Sequence, residues 1–191
     1  MIVTVADISL KTELFVSLNS GVLIWITGLS GSGKTTIGKA VWEEIKKEHS
    51  NAVFLDGDSF REILGGDLGH DPKDRLENAY RIARMCKFLV SQNIIVICAT
   101  MSLYAQIHDF NRENIENYFE VFVDCEMDEL IRRDQKALYS RAMAGEISNV
   151  VGIDLLYDKP KNADLIIDNS KKADLDGKVA QVLKLVYKEA H

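Results

Sequence analysis

The feature that most constrains the fold of this chain is a glycine-rich segment, GLSGSGKT at residues 28–35. It matches the pattern GxxxxGK(S/T) at every fixed position, and it lies between an apolar, β-branched run at 22–27 and a helical pattern at 35–48. Glycines here let backbone N–H groups turn inward around phosphate oxygens, and the following helix adds its positive N-terminal end. Lys34 can then reach the β- and γ-phosphates, and the hydroxyl of Thr35 is placed to bind Mg²⁺. The segment therefore predicts a nucleotide-phosphate site between a strand and a helix.

The rest of the chain alternates short β-rich runs with amphipathic helical patterns. Predicted strands lie at 22–27, 52–55, 94–99, 119–123 and 165–167. Predicted helices lie at 35–48, after the cap-and-proline pair Asp71-Pro72, near 109–117 and 127–134, and at about 174–188. This alternation indicates an α/β fold with a parallel five-stranded sheet that helices cover on both faces.

The domain organisation is simple. We expect one domain over 1–191, with an N-terminal extension at 1–20. The polar stretch at about 135–162 lacks clear periodicity, and it is either a mobile lid or an ordinary surface loop.

Composition and charge exclude several classes of protein. Hydrophobic residues make up 47% of the chain, which is enough to bury a core, so a disordered chain is excluded. The formal net charge of −6 argues against nonspecific electrostatic binding of nucleic acid. The longest apolar run, at 94–99, is far too short to span a bilayer, and the first twenty residues lack a basic leader. Three cysteines without metal or disulfide spacing indicate reduced thiols, so we expect a cytoplasmic protein without membrane or nucleic-acid partners.

Carboxylates and cations follow the second predicted strand. Asp56 and Asp58 end this strand beside the glycine-rich segment, where they can orient Mg²⁺-bound water or accept a proton from a hydroxyl nucleophile. The competing interpretation is that they only cap the turn that follows. Arg61 comes one short turn later, and Arg75 and Asn78 come on the next helix, so together they can grip a second phosphate-like group. A GTPase is excluded, since no NKxD-type guanine signature occurs.

Six stretches of the chain together resemble the adenylylsulfate (APS) kinase family. They are GLSGSGKTT at 28–36, DGDSFREIL at 56–64, LGHDPKDRLEN at 68–78, FEVFVD at 119–124, RDQKALYSRAMAGEI at 133–147 and GIDLLYDKP at 152–160. The resemblance implies a P-loop kinase fold with a lid, usually in a homodimer. The implied activity is transfer of the γ-phosphate of ATP to the ribose 3′-hydroxyl of a nucleotide that bears a 5′-phosphosulfate.

The resemblance also implies roles for individual residues. ATP is expected at Gly28, Leu29, Ser30, Gly31, Ser32, Gly33, Lys34, Thr35, Thr36 and Arg133, with Mg²⁺ at Thr35. The small-molecule acceptor is expected at Asp58, Arg61, His70, Arg75, Asn78, Ser102, Lys136, Val150, Gly152 and Ile153. The candidate catalytic residues are Lys34, Asp58 and Ser102, with Asp58 next to the acceptor hydroxyl. For Ser102 we favour a hydroxyl that contacts phosphate over a covalent intermediate, because in-line transfer needs no enzyme nucleophile.

The chain departs from the family pattern where the base of the acceptor is expected. The family clamps adenine between two phenylalanines, and His70 and Val150 stand at those positions. Stacking contributes about 1–3 kcal/mol per base, so the loss of both rings predicts a changed base preference. The other departures are Ser-Leu-Tyr at 102–104 for Ser-Pro-Tyr, Ala105 and His108 for two usual arginines, and Ala137 for the glycine of Lys-Gly-Leu-Tyr.

These departures leave three hypotheses. The phosphate-binding positions are intact and the base pocket is rebuilt, which favours the same reaction on cytidine diphosphoramidate, the acceptor of related enzymes in bacterial capsule pathways. The alternative is APS itself, in a kinase whose adenine clamp has drifted neutrally. A non-catalytic nucleotide-binding regulator is disfavoured, because Lys34, Thr35, Asp58 and Arg61 are all present.

Overall fold

The computed structural model describes residue 18 and residues 20–64, 66–171 and 173–189, so nearly all of the predicted extension at 1–20 lies outside the described residues. Five strands form one parallel sheet, which confirms the prediction from strand–helix alternation. The strands are β1 (Val22–Thr27), β2 (Ala52–Asp56), β3 (Ile95–Thr100), β4 (Tyr118–Asp124) and β5 (Leu165–Asp168). Their order across the sheet is β2-β3-β1-β4-β5, so β1 is central and carries the glycine-rich segment at its carboxyl end.

Helices and one 3₁₀ turn connect the strands. They are α1 (Lys34–Ile45), α2 (Gly57–Ile63), α3 (Pro72–Ser91), α4 (Ala105–Asn114), α5 (Met127–Arg133), the 3₁₀ turn Gln135–Ala137, α6 (Leu138–Met143) and α7 (Leu175–Glu189). Across the described ranges, none of these helices combines the length and the apolar character that crossing a membrane requires. The cysteines Cys86, Cys98 and Cys125 are buried free thiols, as their spacing predicts.

The side chains of β1 alternate between two hydrophobic cores. Ile24 and Ile26 pack on one face with apolar residues of α1 and α7. Leu23 and Trp25 pack on the other face with apolar residues of α3 and α4. Every residue of β1 is buried, as expected for a central parallel strand. Helices therefore cover both faces of the sheet, as predicted.

A third apolar cluster lies beneath the stretch 135–162 and anchors it to the sheet. Its buried members are Leu29, Leu103, Phe122, Cys125, Leu130, Tyr139 and Val150. The stretch itself contains the 3₁₀ turn, α6 and an isolated bridge between Val151 and Leu155. We call 135–162 the lid stretch below, since it forms one wall of the cavity described next.

Helix α4 differs most from its prediction. The pattern predicts a helix near 109–117, whereas α4 spans Ala105–Asn114. The residue at its N-terminal cap, Tyr104, makes no side-chain capping bond, so the sequence carries no start signal there. At the other end Ile115 turns to an extended backbone and is buried in the core of α3 and α4. Burial of one apolar side chain thus ends the helix earlier than its periodicity indicates.

Candidate active site

A cavity of about 330 Å³ opens at the carboxyl edge of the sheet, where open α/β sheets commonly bind ligands. The glycine-rich segment and the ends of β2 and β3 form its floor, and α3 and the lid stretch form its walls. It brings together most of the predicted site residues, namely Ser30, Lys34, Thr35, Asp58, Arg61, His70, Arg75, Asn78, Ser102, Lys136 and Val150. It is also lined by Tyr104, Leu155, Leu156 and Tyr157, which the sequence analysis did not single out.

Nine predicted residues are not among those that line the cavity. Six belong to the glycine-rich segment and the start of α1, namely Gly28, Leu29, Gly31, Ser32, Gly33 and Thr36, and the other three are Gly152, Ile153 and Arg133. Gly152 and Ile153 are close in sequence to Val150 but are not among the residues that line the cavity. Gly152 has a φ of +91°, a backbone conformation that favours glycine, so backbone geometry accounts for this residue. Arg133 lies behind the glycine-rich segment, where its side chain is only 3% exposed.

The glycine-rich segment needs its glycines for backbone reasons. Gly31 and Gly33 have φ values of +77° and +105°, which side chains other than hydrogen rarely allow. A Cβ on Gly33 would also come within 2.3 Å of the amide nitrogen of Asn169. The two residues therefore set both the path of the loop and its close approach to the segment after β5.

Each carbonyl of residues 29–32 accepts a hydrogen bond from a side chain. The donors are Lys34 Nζ to Leu29 at 2.8 Å, the Tyr139 hydroxyl to Ser30 at 2.8 Å, Arg133 Nη1 to Gly31 at 3.0 Å, and Asn169 Nδ2 to Ser32 at 2.6 Å. We call these four donors the carbonyl brace. Three of them come from outside the loop, from α5, α6 and the segment after β5. The N–H of Ser32 donates to the carbonyl of Leu29 at 3.2 Å. With its carbonyls bonded by these side chains, the loop can turn its other N–H groups toward phosphate.

Lys34 lies in a buried setting at the base of the cavity. Burial lowers the pKa of Lys34 to about 8, although the nearby carboxylates of Asp58 and Asp56 act in the opposite direction. Its ammonium group contacts a carbonyl of its own loop at 2.8 Å. A phosphate that enters the loop would offer this ammonium group a far stronger partner.

The two interpretations that the sequence leaves open for Asp56, a helix cap and a functional carboxylate, are compatible with its contacts. Its Oδ1 accepts hydrogen bonds from the N–H groups of Asp58 and Ser59 at 3.1 and 3.3 Å, which caps the short helix α2. Its Oδ2 accepts a hydrogen bond from the Thr35 hydroxyl at 2.9 Å. The cap and the functional placement are therefore compatible, because each uses a different oxygen.

Asp58 forms an ion pair with Lys136 of the lid stretch. Lys136 Nζ lies 3.0 Å from Asp58 Oδ2, and the two side chains are 77% and 83% exposed. The carboxylate of Asp58 raises the pKa of Lys136 above its usual value. This exposed pair joins the first turn of α2 to the lid stretch, and both of its residues line the cavity.

Arg75 connects the two positions at which the chain departs from the family clamp. Its Nε donates to the carbonyl of His70 at 2.7 Å, and its Nη2 donates to the carbonyl of Asn149 at 3.0 Å, one residue before Val150. Burial lowers the pKa of Arg75. The nearby Arg61 donates to the carbonyl of Leu68 at 2.8 Å and also to that of Gly69. Both arginines thus hold backbone around the predicted base pocket.

The predicted hydroxyl Ser102 is buried at the end of β3. Its Oγ lies 2.9 Å from the Oγ1 of Thr100, and both residues line the cavity. This placement agrees with a hydroxyl positioned by the strand end, as the sequence analysis favours.

Asn169 and Tyr139 were missed as site residues because nothing local in the sequence marks them. Asn169 follows β5 and lies 137 positions from its partner Ser32. Tyr139 falls inside the resembling stretch at 133–147, which is the only signal that points to it. Both residues contact the glycine-rich segment only in the folded chain, where segments far apart in sequence come together.

Comparison with known proteins assigns the chain to a family. Residues 20–168 match the family model described as adenylylsulphate kinase. A protein of Campylobacter jejuni named cytidine diphosphoramidate kinase is 47% identical over 166 residues, which cover 87% of this chain and 96% of that protein. The adenylyl-sulfate kinase of Pseudomonas aeruginosa is 42% identical over 156 residues and 80% of each chain.

A solved structure gives the same assignment. The APS kinase of Mycobacterium tuberculosis, in complex with AMPPNP and APS, superposes with a TM-score of 0.80 at 35% identity, over 87% of this chain and 98% of that one. The fold, the P-loop cavity and these relatives agree with the resemblance seen in the sequence. The chain belongs to the APS kinase family and is a phosphotransferase with a P-loop kinase fold.

Proposed function

We propose that this kinase transfers the γ-phosphate of ATP to the ribose 3′-hydroxyl of cytidine diphosphoramidate. The observation that carries the choice of acceptor is the pair His70 and Val150, which line the cavity where the family pattern has two phenylalanines. A histidine and a valine offer less aromatic surface than a two-ring clamp, which suits a pyrimidine better than a purine. The identity of 47% to the Campylobacter jejuni protein supports the same acceptor.

In this proposal the phosphates of ATP lie against the N–H groups of the glycine-rich segment. The other three donors of the carbonyl brace hold that segment, while Lys34 moves from the Leu29 carbonyl to the β- and γ-phosphates. The hydroxyl of Thr35 and the carboxylate of Asp56 are both hard oxygen donors 2.9 Å apart, so they fit a Mg²⁺ ion, which neutralises phosphate charge when bound.

The acceptor lies on the opposite side of the cavity. Arg61, Arg75 and Asn78 line that side and supply donors for its 5′ group and its base. Asp58 receives the proton of the 3′-hydroxyl while that oxygen forms its bond to the γ-phosphorus and the bond to ADP breaks. Lys136 contacts Asp58 in this structure, so it is placed to orient the carboxylate or to meet the transferred phosphoryl group.

APS is the second candidate acceptor. The cation and amide donors at Arg61, Arg75 and Asn78 suit a 5′-phosphosulfate as well as a diphosphoramidate. Identity of 42% to the Pseudomonas aeruginosa adenylyl-sulfate kinase supports this reading. The homodimer remains a prediction from the family resemblance, and the cytoplasmic location remains a prediction from the composition of the sequence.

The test is an initial-rate assay with Mg²⁺-ATP and four acceptors, namely cytidine diphosphoramidate, CDP, APS and ADP. We expect the highest kcat/KM for cytidine diphosphoramidate. The double variant His70→Phe/Val150→Phe should change the preference between acceptors. The ratio of kcat/KM for the cytidine compound to kcat/KM for APS should fall by about tenfold or more, since each restored ring adds stacking energy with adenine. His49→Phe, far from the cavity, is the matched control. Turnover of APS with none of any cytidine compound would refute the proposed acceptor.

Lys34→Ala separates the kinase from a non-catalytic regulator. A kinase loses its turnover in this variant, because the ammonium group that contacts the β- and γ-phosphates is gone. Turnover that persists unchanged in Lys34→Ala would come from a contaminating enzyme. Wild-type protein that binds nucleotide but turns over none of the four acceptors would support the regulator.

A further inference from the structure

A buried polar network lies directly behind the acceptor side of the cavity. It begins at Ser102 and continues through His108 on α4 and Glu120 on β4. The side chains of His108 and Glu120 are only 8% and 2% exposed. Charged and titratable groups this deeply buried need hydrogen-bond partners. Whether each nitrogen or oxygen carries a proton can therefore be inferred from whether its partner is a donor or an acceptor.

Basic and acidic side chains alternate along the network. His108 Nε2 lies 2.9 Å from the carbonyl oxygen of Ser102, and Nδ1 contacts Oε1 of Glu120. The other oxygen of Glu120 lies 3.3 Å from Nη2 of Arg112, which in turn lies 3.2 Å from Asp164. The N–H of Glu120 also donates to Asp164 at 2.7 Å. A line of groups thus connects the cavity to the segment before β5.

The positions of the protons follow from these partners. A carbonyl oxygen carries no proton, so His108 Nε2 must be the donor to Ser102. The proton between Nδ1 and Glu120 belongs either to the ring or to the carboxyl group. Arg112 at the second oxygen favours the ionised carboxylate, which leaves the proton on Nδ1. Both ring nitrogens are then donors, and the ring is an imidazolium.

We propose that His108 is a positioning residue of the acceptor pocket, and that it acts as an imidazolium held between the Ser102 carbonyl and the Glu120 carboxylate. Ser102, Leu103 and Tyr104 all line the cavity, so the carbonyl that His108 holds is part of the acceptor wall. The same wall is held from its other side by Asp158, whose N–H donates to the carbonyl of Leu103 at 3.1 Å. The proposal rests on the acceptor side assigned under the proposed function.

The surroundings of His108 set the direction of its pH dependence. Burial opposes the charge, but the Glu120 carboxylate, the Ser102 carbonyl and Asp109 on the same helix together raise the pKa of His108 above its usual value. Arg112 lies beyond Glu120 and is itself paired with Asp164. The imidazolium is therefore complete at low pH and is lost as the pH rises through this raised pKa. A neutral ring donates from only one nitrogen, so the lone pair of the other nitrogen faces an acceptor oxygen and the ring holds the wall less firmly.

The charge state is tested first on the free protein, without any acceptor. Nitrogen-15 NMR of the histidine rings distinguishes an imidazolium, with both nitrogens protonated, from either neutral tautomer. We expect the His108 ring to stay doubly protonated above the pH at which an ordinary histidine titrates, and Glu120→Gln to lower the pKa of His108. A His108 ring that is neutral at about pH 6 would overturn the proposal, whatever acceptor the kinase uses.

Kinetics then test the positioning role, with whichever acceptor the wild type phosphorylates. With ATP held at saturation between about pH 6 and about pH 9, the acceptor KM of the wild type should rise about tenfold. The KM for ATP should change only above about pH 8, where Lys34 loses its proton, and equally in the wild type and in His108→Gln. His108→Gln keeps an N–H donor for Ser102 without a titrating charge, so its acceptor KM should not follow pH. Glu120→Gln should move the rise to lower pH, and His49→Gln should match the wild type.

The outcomes separate the two proposals. An acceptor KM that follows pH equally in the wild type and in His108→Gln would overturn the role of His108, with the proposed acceptor untouched. Absence of turnover with every acceptor would instead count against the proposed function, and the NMR titration would still decide the charge of His108.

Discussion

The hydroxyl of Tyr139 on α6 donates a 2.8 Å hydrogen bond to the carbonyl of Ser30 in the glycine-rich segment. This contact joins two parts of the chain that are 109 positions apart. Burial raises the pKa of Tyr139 to about 12, so the hydroxyl remains a donor throughout the neutral range. The lid stretch is thereby connected to the loop that we propose to bind the phosphates of ATP.

Tyr139→Phe should weaken ATP binding with little change in acceptor binding. The variant keeps the ring in its apolar cluster and removes only the donor to Ser30. A lost neutral hydrogen bond costs about 1 kcal/mol, so we expect about a fivefold rise in the KM for ATP. Steady-state kinetics with each substrate varied in turn measure this split. Tyr187→Phe on α7 is the control, and an equal rise in both KM values would contradict the account.

Asn169→Ala should lower stability as well as ATP affinity. Its amide donates to the Ser32 carbonyl at 2.6 Å, and its Oδ1 accepts from the buried Lys178 at 2.7 Å. Removal of one partner of a buried charged donor costs about 1–3 kcal/mol. Urea unfolding of Asn169→Ala beside the exposed control Asn114→Ala measures the free energy of unfolding. Equal midpoints in the two variants would mean that this part of the brace contributes nothing.

The glycine-rich motif could be predicted from the sequence, whereas most of the side chains that hold it in place could not. The P-loop pattern and the apolar run before it are local, so both the motif and its position at the end of β1 could be predicted. The carbonyl brace depends on contacts between residues far apart in sequence, and no local pattern marks Asn169 or Tyr139. The start of α4 was missed for a related reason, because Tyr104 lacks a capping side-chain bond.

For the base pocket, the resemblance identified the residues themselves but not the contacts that hold them in place. The resemblance drew attention to His70 and Val150 as single substitutions in a known pattern, and both residues line the cavity. It did not show that Arg75 bonds to the carbonyl of His70 and to the carbonyl beside Val150. Side-chain bonds to backbone carbonyls depend on backbone geometry, which residue identity alone does not contain.

Asp58→Asn should reduce kcat while the fold stays intact. Proton transfer by a positioned carboxylate contributes about 100-fold or more to rate, and asparagine cannot accept the proton. The pair with Lys136 is exposed, so the expected loss in stability is below about 1 kcal/mol. Rapid-quench measurement of the transfer step reports the chemical rate, with Asp67→Asn, outside the cavity, as the control. A rate within about twofold of the wild type would exclude Asp58 as the base.

ATP binding should weaken above about pH 8. The pKa of Lys34 is lowered to about 8 in the free protein, and bound phosphate favours the charged lysine. Binding above this pKa must therefore take up a proton, and the Kd rises by up to about tenfold per pH unit. Calorimetry at about pH 9 in two buffers of different ionisation enthalpy measures this proton directly. Uptake that is the same in Lys34→Ala would assign the proton to another group.

The measurement that tests the central claim most directly is the position of the new phosphate on the product. Purified protein is incubated with Mg²⁺-ATP and cytidine diphosphoramidate, and the product is examined by phosphorus–proton correlation NMR. The account predicts one new phosphomonoester coupled to the ribose H3′, with loss of the signal in Lys34→Ala. A phosphate on any other oxygen, or transfer to APS alone under the same conditions, would contradict it.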